Sequence, residues 1–177
     1  MISNDSNFVG FGDCEFVEKA MSVDKDCSIK ACNYWKPIKS TVTNTEIEDL
    51  EKKIGFEYPT SYVDFLKYKH FYTLRFYGCE FIPHPINSWK KNIDFWNNTR
   101  PRNIYRQRFI VFAYHLLEGA YCFDANNDSS IELWTPENPK IETDFKSNSF
   151  TQVFDNFEEM MDKLNNDNLI MVDNNAS

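Results

Sequence analysis

Between residues 43 and 66 the chain reads TNTEIEDLEKKIGFEYPTSYVDFL, and its apolar positions change rhythm twice within that span. Ile47, Leu50 and Ile54 recur at three- and four-residue spacing, which gathers them on one face of a helix. On the opposite face, Glu48 with Lys52 and Asp49 with Lys53 place acid before base four residues apart. Thr45 followed by Glu48 has the spacing of a capping box, so the pattern predicts a helix that begins near Thr45. Gly55 supplies the left-handed residue that ends it. Phe56 and Tyr58 alternate as a short extended link, and Pro59 holds the residue before it extended. Thr60 or Ser61 then caps a second helix whose apolar face is Tyr62, Phe65 and Leu66.

Downstream the rhythm becomes that of strands. Residues 71–77 are aromatic and β-branched, Gly78 interrupts them, and 79–82 resume, which predicts a hairpin stopped by Pro83 and Pro85. A helix over 88–96, entered through Ser88, gives way to a loop at Asn97, Asn98 and Pro101. Residues 109–114 are nearly continuous apolar sequence, as in a strand buried on both faces. Strands over 119–124 and 131–134 follow, separated by turn formers at 126–130, so the sum is an antiparallel meander. Pro136 and Pro139 mark another loop. Asp155 with Glu158 forms a second capping box for a closing helix that ends near Leu164. Residues 165–168 are polar punctuation, and 169–172 predict an edge strand. Ahead of all this, Phe8, Phe11, Phe16, Val17, Met21, Ile29, Tyr34 and Trp35 are too many apolar groups for a solvated tail. They predict an extension that packs on the domain, with a short helix over 13–21 and an extended lead-in at 35–38.

The order Ile-Glu-x-Leu-Glu-x-x-Ile-Gly from Ile47 to Gly55, then Pro59, Tyr62 and Phe65-Leu66, resembles the SUKH superfamily, also called the Smi/Knr-like family. The later strands agree with that family's order of elements. Residues 153–164 resemble its Ser-Phe-x-x-Phe-Leu ending, with Phe154, Phe157 and Met161 at the bulky positions. The resemblance implies an α+β single domain in which an antiparallel-rich mixed sheet of about five to six strands packs against two N-terminal core helices and a C-terminal helix. It divides the chain into an extension at 1–42, a SUKH-like domain at 43–165 and a tail at 166–177. It also implies a role without catalysis or cofactor: a bacterial immunity protein that neutralises a toxin or, as the alternative, a cytosolic regulator or scaffold in cell-wall synthesis or stress signalling. This chain departs from the family at Lys69-His70-Phe71, where many members carry Asn-Gly after the second helix.

Composition sharpens the picture in two respects. Phe, Tyr and Trp make up 16% of the 177 residues, enough large rings to fill a thin core and leave some at the surface. Charge is uneven: residues 89–108 carry six basic residues against Asp94 alone, a local +5, which leaves −13 for the remainder of a chain whose net charge is −8. That asymmetry predicts a broad acidic surface with one basic stripe. Arginines interleaved with Trp96 and Tyr105 suit nucleic acid, but the −13 elsewhere repels a polyanion from most approaches and argues against that partner. Toxins that cut nucleic acid carry basic clefts, and an acidic protein reaches these by electrostatic steering. Glu118, Asp124, Asp128, Glu132, Glu137, Glu142 and Asp144 cluster on the turns of the predicted meander and are the candidate partner-binding residues. A merely solvated acidic face accounts for any one of them equally well.

Catalytic and metal motifs do not emerge. His70, His84 and His115 lack zinc-ligand spacing, and Cys27 with Cys32 has no second pair to complete a site. Asp124 and Asp128 flank a turn without the Gly and terminal Glu of a calcium loop. A Cys–His nucleophile pair, Cys122 with His115 as the example, would have to meet in space. Five cysteines of irregular spacing, a polar start and no stretch of about twenty apolar residues fit a reducing cytosol and no membrane span. The expectation is a cytoplasmic monomer that binds a basic protein.

Overall fold

The apolar runs fold into an α+β protein, seen in a computed structural model that describes residues 10–12, 20–21, 33–76, 78–99, 108–115, 119–135 and 150–173. Three short strands, β1 (Gly10–Gly12), β2 (Asn33–Trp35) and β3 (Ile38–Lys39), lead into helices α1 (Asn44–Ile54) and α2 (Thr60–Tyr68). Strands β4 (Lys69–His70), β5 (Leu74–Phe76) and β6 (Cys79–Phe81) precede α3 (Trp89–Thr99). Strands β7 (Phe109–His115), β8 (Gly119–Asp124), β9 (Ile131–Trp134) and β10 (Phe150–Phe154) and helix α4 (Phe157–Asp173) complete the order. The chain forms two compact units, one from the chain up to Leu74 together with Pro83–Lys90, the other from Arg75–Ile82 and the chain from Lys91 onward.

In the first unit the helical spacing buries Ile47, Leu50 and Ile54 of α1 and Tyr62, Phe65 and Leu66 of α2. Gly55 ends α1 at φ 67 and ψ 33, and its N–H donates to the Glu51 carbonyl at 2.7 Å. The Tyr58 N–H donates to Glu51 Oε1 at 2.8 Å, and Lys67 Nζ donates to Asn44 Oδ1, so both ends of the helix pair are stitched together. Aromatic rings run along it from Phe56 through Tyr58, Tyr62 and Phe65 to Phe71, with centroids 5.0–6.0 Å apart. Strands β3 and β4 pair antiparallel, Ile38 opposite His70, and β1 pairs with β2. The lead-in residue Trp35 is fully buried against Tyr72 at 5.9 Å.

The second unit is a six-stranded meander in the order β10-β9-β8-β7-β6-β5. Its centre is β7, where Ile110, Val111, Phe112 and Ala113 are consecutively buried. A register shift between Val111 and Ala113 against β8 interrupts the simple alternation there. Phe157, at the start of α4, sits among Phe81, Phe112 and Phe123 with centroids 5.7–6.3 Å apart, and so docks the helix on three adjacent strands. Burying an aromatic ring completely contributes about 2–3 kcal/mol.

Several expectations shift. The capping box of α1 is Thr43 with Glu46, two residues before the expected pair: the Glu46 N–H donates to Thr43 Oγ1 and the Thr43 N–H to Glu46 Oε2. Neither Thr60 nor Ser61 caps α2; Pro59 stands at its N-cap, and its carbonyl accepts from Tyr62 and Val63. Asn97 and Asn98 continue α3 rather than form a loop. Asn156, not Asp155, caps α4, accepting from the Glu159 N–H at 2.9 Å while Glu159 accepts from the Asp155 N–H at 2.7 Å. Residues 153–154 close strand β10 instead of opening the helix, and Met160, not Met161, turns into the core. The expected edge strand over 169–172 is helical, because no Gly or Pro interrupts α4. Of the expected helix over 13–21 only Ala20 and Met21 lie among the described residues, in a turn.

Candidate functional site

Three of the seven candidate acidic residues, Asp124, Asp128 and Glu132, fall among the described residues; Glu118, Glu137, Glu142 and Asp144 lie outside them. Asp124 ends β8 and organises the turn to β9. Its Oδ1 accepts from the Asn126 N–H at 2.8 Å, its carbonyl accepts from the Asn127 and Ser129 N–H groups, and its N–H donates to the Ser130 carbonyl. Asp128 and Ser129 take left-handed backbone at φ 49 and φ 61, which Asp and Asn tolerate better than most residues. Asp128 therefore stands exposed on a tightly tied turn. Glu132 is different in kind: it is only 8% exposed, with Ser130 Oγ 3.5 Å from Oε1. Burial, and then the charge of Asp124, push its carboxyl above the usual range.

The basic stripe contributes fewer free charges than its composition suggests. Lys90 reaches Glu46 at 3.4 Å and lies over the Trp89 ring. Arg108, at φ 68, offers its carbonyl to the Ala125 N–H at 2.9 Å, which seats the start of β7 beside the acidic turn. Lys91 is exposed, as is 54% of Phe95 on the same helix. Arg100, Arg102 and Arg106 lie outside the described residues. A second acidic surface, unremarked in the sequence, is a cleft of about 420 Å³ at the end of α1 lined by Glu48, Glu51, Lys52, Gly55, Phe56 and Glu57.

The interior holds the other titratable groups. Burial and the charge of Glu80 push the Cys79 thiol up to about 12, and burial with the charge of Glu132 pushes Cys122 well above its ordinary value. Thiols held protonated in this way are the reverse of an activated nucleophile. Cys79 is the cross-strand partner of His115, whereas Cys122 lies opposite Val111 and Glu132, so the register does not pair Cys122 with His115.

Asn97 is a structural surprise. It is 2% exposed on α3, donates to the carbonyls of Ile93 and Val111, and accepts from the Val111 N–H at 2.8 Å. Strand β6 pairs with β7 only from Ala113 to His115, and the Asn97 amide satisfies the backbone of β7 beyond that point. His70 and His84, fourteen residues apart, form a second surprise. Both are buried, with Nδ1 atoms 3.2 Å apart and rings stacked at 5.0 Å. Sequence could not have paired them.

The fold defines an α+β protein built on an antiparallel six-stranded meander, with its carboxylates displayed on a tied turn and a helix-end cleft. The chain belongs to the SMI1 / KNR4 family (SUKH-1), which it matches over residues 41–163. No curated protein and no solved structure matches it. Among the described residues no helix is long and apolar enough to cross a membrane, and no group of three or more His, Cys, Asp or Glu is placed to hold a metal ion.

Proposed function

We propose that this SUKH-1 protein is a non-catalytic binding module, an immunity protein that neutralises a cognate basic toxin, of nuclease type, by occluding its active site. The observation that carries this is the turn from Asp124 to Ser130, whose hydrogen bonds tie the backbone on either side of Asp128 while its side chain stands exposed. A turn whose backbone is tied before binding loses little backbone entropy on capture, and opposite charge accelerates encounter. A net charge of −8 extends the same attraction over the approach.

The test is complex formation with the toxin encoded beside this chain. Co-expression should protect cells, and Asp128→Lys should weaken the complex by about tenfold, mainly through slower association. No complex in solution and no protection would overturn the proposal. A complex whose affinity ignores Asp124 and Asp128 would move the contact to another surface.

A further inference from the structure

The buried histidine pair has no part in the proposed recognition, and its hydrogen bonds dictate which proton sits where. His70 Nε2 lies 3.0 Å from the Thr41 N–H, which can only donate, so this nitrogen accepts and the neutral ring carries its proton on Nδ1. That proton faces the His84 carbonyl at 3.1 Å and His84 Nδ1 at 3.2 Å. His84 Nδ1 is thereby left as an acceptor, and its proton rests on Nε2, which is buried without a hydrogen-bond partner among the described residues. The ring is walled by Phe71 at 5.6 Å and Trp89 at 5.1 Å. Adding a proton to His84 Nδ1 would set two N–H groups against each other at 3.2 Å, inside an aromatic box and beside a second imidazole.

We infer that His70 and His84 form an acid-released clamp, which holds the Pro83–Pro85 segment and the strand pair β3–β4 together while both rings are neutral and lets them part when either is protonated. The clamp closes on two further bonds, from Phe71 N–H to the His84 carbonyl at 3.1 Å and from His84 N–H to the Phe71 carbonyl at 2.9 Å. Through Thr41 it also anchors the residues that lead to the cap of α1. The groups facing His84 are His70 and the Lys69 backbone from β4 and the Trp89 ring from α3; Lys90 is turned to Glu46, and the charge that acts on His84 is that of His70. Burial first, then His70, lowers the His84 imidazole to about 3, against the backbone of His84 and Lys69, which favours the charged ring. The sign follows. Above about pH 6.5 the His84 ring is neutral in folded and unfolded chains alike, while below it the unfolded chain binds a proton that the clamp refuses, so stability is lost as pH falls.

The experiment is urea unfolding of the full chain at pH 7.0 and 5.5 with histidine ring NMR over the same range. One refused proton raises the unfolding constant about eightfold between those two values, in addition to any contribution from other groups. His84→Phe should remove that rise, and His115→Asn should retain it. The His84 ring signal should not titrate while the chain is folded, and the Thr41, Phe71 and His84 amides should show lower protection factors at pH 5.5 than at pH 7.0 once the slower intrinsic exchange at low pH is divided out. A His84 ring that titrates near its ordinary value in the folded protein overturns the clamp, as does an unchanged rise in His84→Phe. If His84→Phe fails to fold, the ring titration of the native chain decides alone.

Discussion

At the scale of single residues, the most consequential positions are polar groups that burial forces into exact partnerships. Asn97 satisfies both backbone groups of Val111, so Asn97→Ala strands a buried N–H and a buried carbonyl and should cost about 3 kcal/mol, read as a lower urea midpoint with an unchanged slope. Glu132 acts in the opposite sense. Its carboxyl is raised in the folded state, so folding is penalised as pH climbs past the unfolded value near 4.5 and the group ionises. Glu132→Gln should therefore stabilise the chain at pH 7 by less than about 1 kcal/mol and leave it unchanged at pH 4, measured by thermal melting. Neither role was legible in the sequence. An Asn near a helix end looks like a terminator, and a Glu in a strand looks exposed, until the tertiary fold shows which neighbour consumes the polar group.

At the scale of elements, the periodic signals were readable and the boundaries were not. Strands 119–124 and 131–134 stand where apolar runs meet dense turn formers, because nothing else in those stretches competes. The start of α1 was ambiguous for a definite reason: Thr43 with Glu46 and Thr45 with Glu48 are overlapping frames of the same box, and periodicity fixes the buried face without fixing the first turn. The two frames give a direct test. Thr43→Ala should cost about 1 kcal/mol and Thr45→Ala close to nothing, compared by denaturation of each variant. Strands β1, β4 and β10 escaped the sequence, which offers no apolar run bounded by turn formers at those places, whereas the extended lead-in expected over 35–38 meets the end of β2 and the start of β3. Phe157 was legible as a bulky position of the closing helix, and its three-ring contact with the sheet gives that position its physical meaning; Phe157→Ala should cost about 3–5 kcal/mol in the same assay.

At the scale of the whole molecule, charge and fold separate cleanly. The net charge of −8 bears on which partner arrives and how fast, whereas the rings and strands bear on what shape meets it. For the proposed toxin complex, raising sodium chloride from about 0.05 to about 0.5 M should slow association by tenfold or more and leave dissociation nearly unchanged, a pattern that surface plasmon resonance resolves. A complex held mainly by apolar contacts would show no such slowing.

The strand order has a consequence for how the protein is made. Every strand of the six-stranded sheet lies beside the one that precedes or follows it in the chain, so strands emerge from the ribosome in the order in which they pair. Each new strand meets an edge already in place, and none has to be inserted between two strands that are already paired. Growth is one-sided: until residues 150–154 have been synthesised, β9 is the open margin of the nascent sheet, and a ribosome stalled before that point would display it to any other unfinished chain nearby.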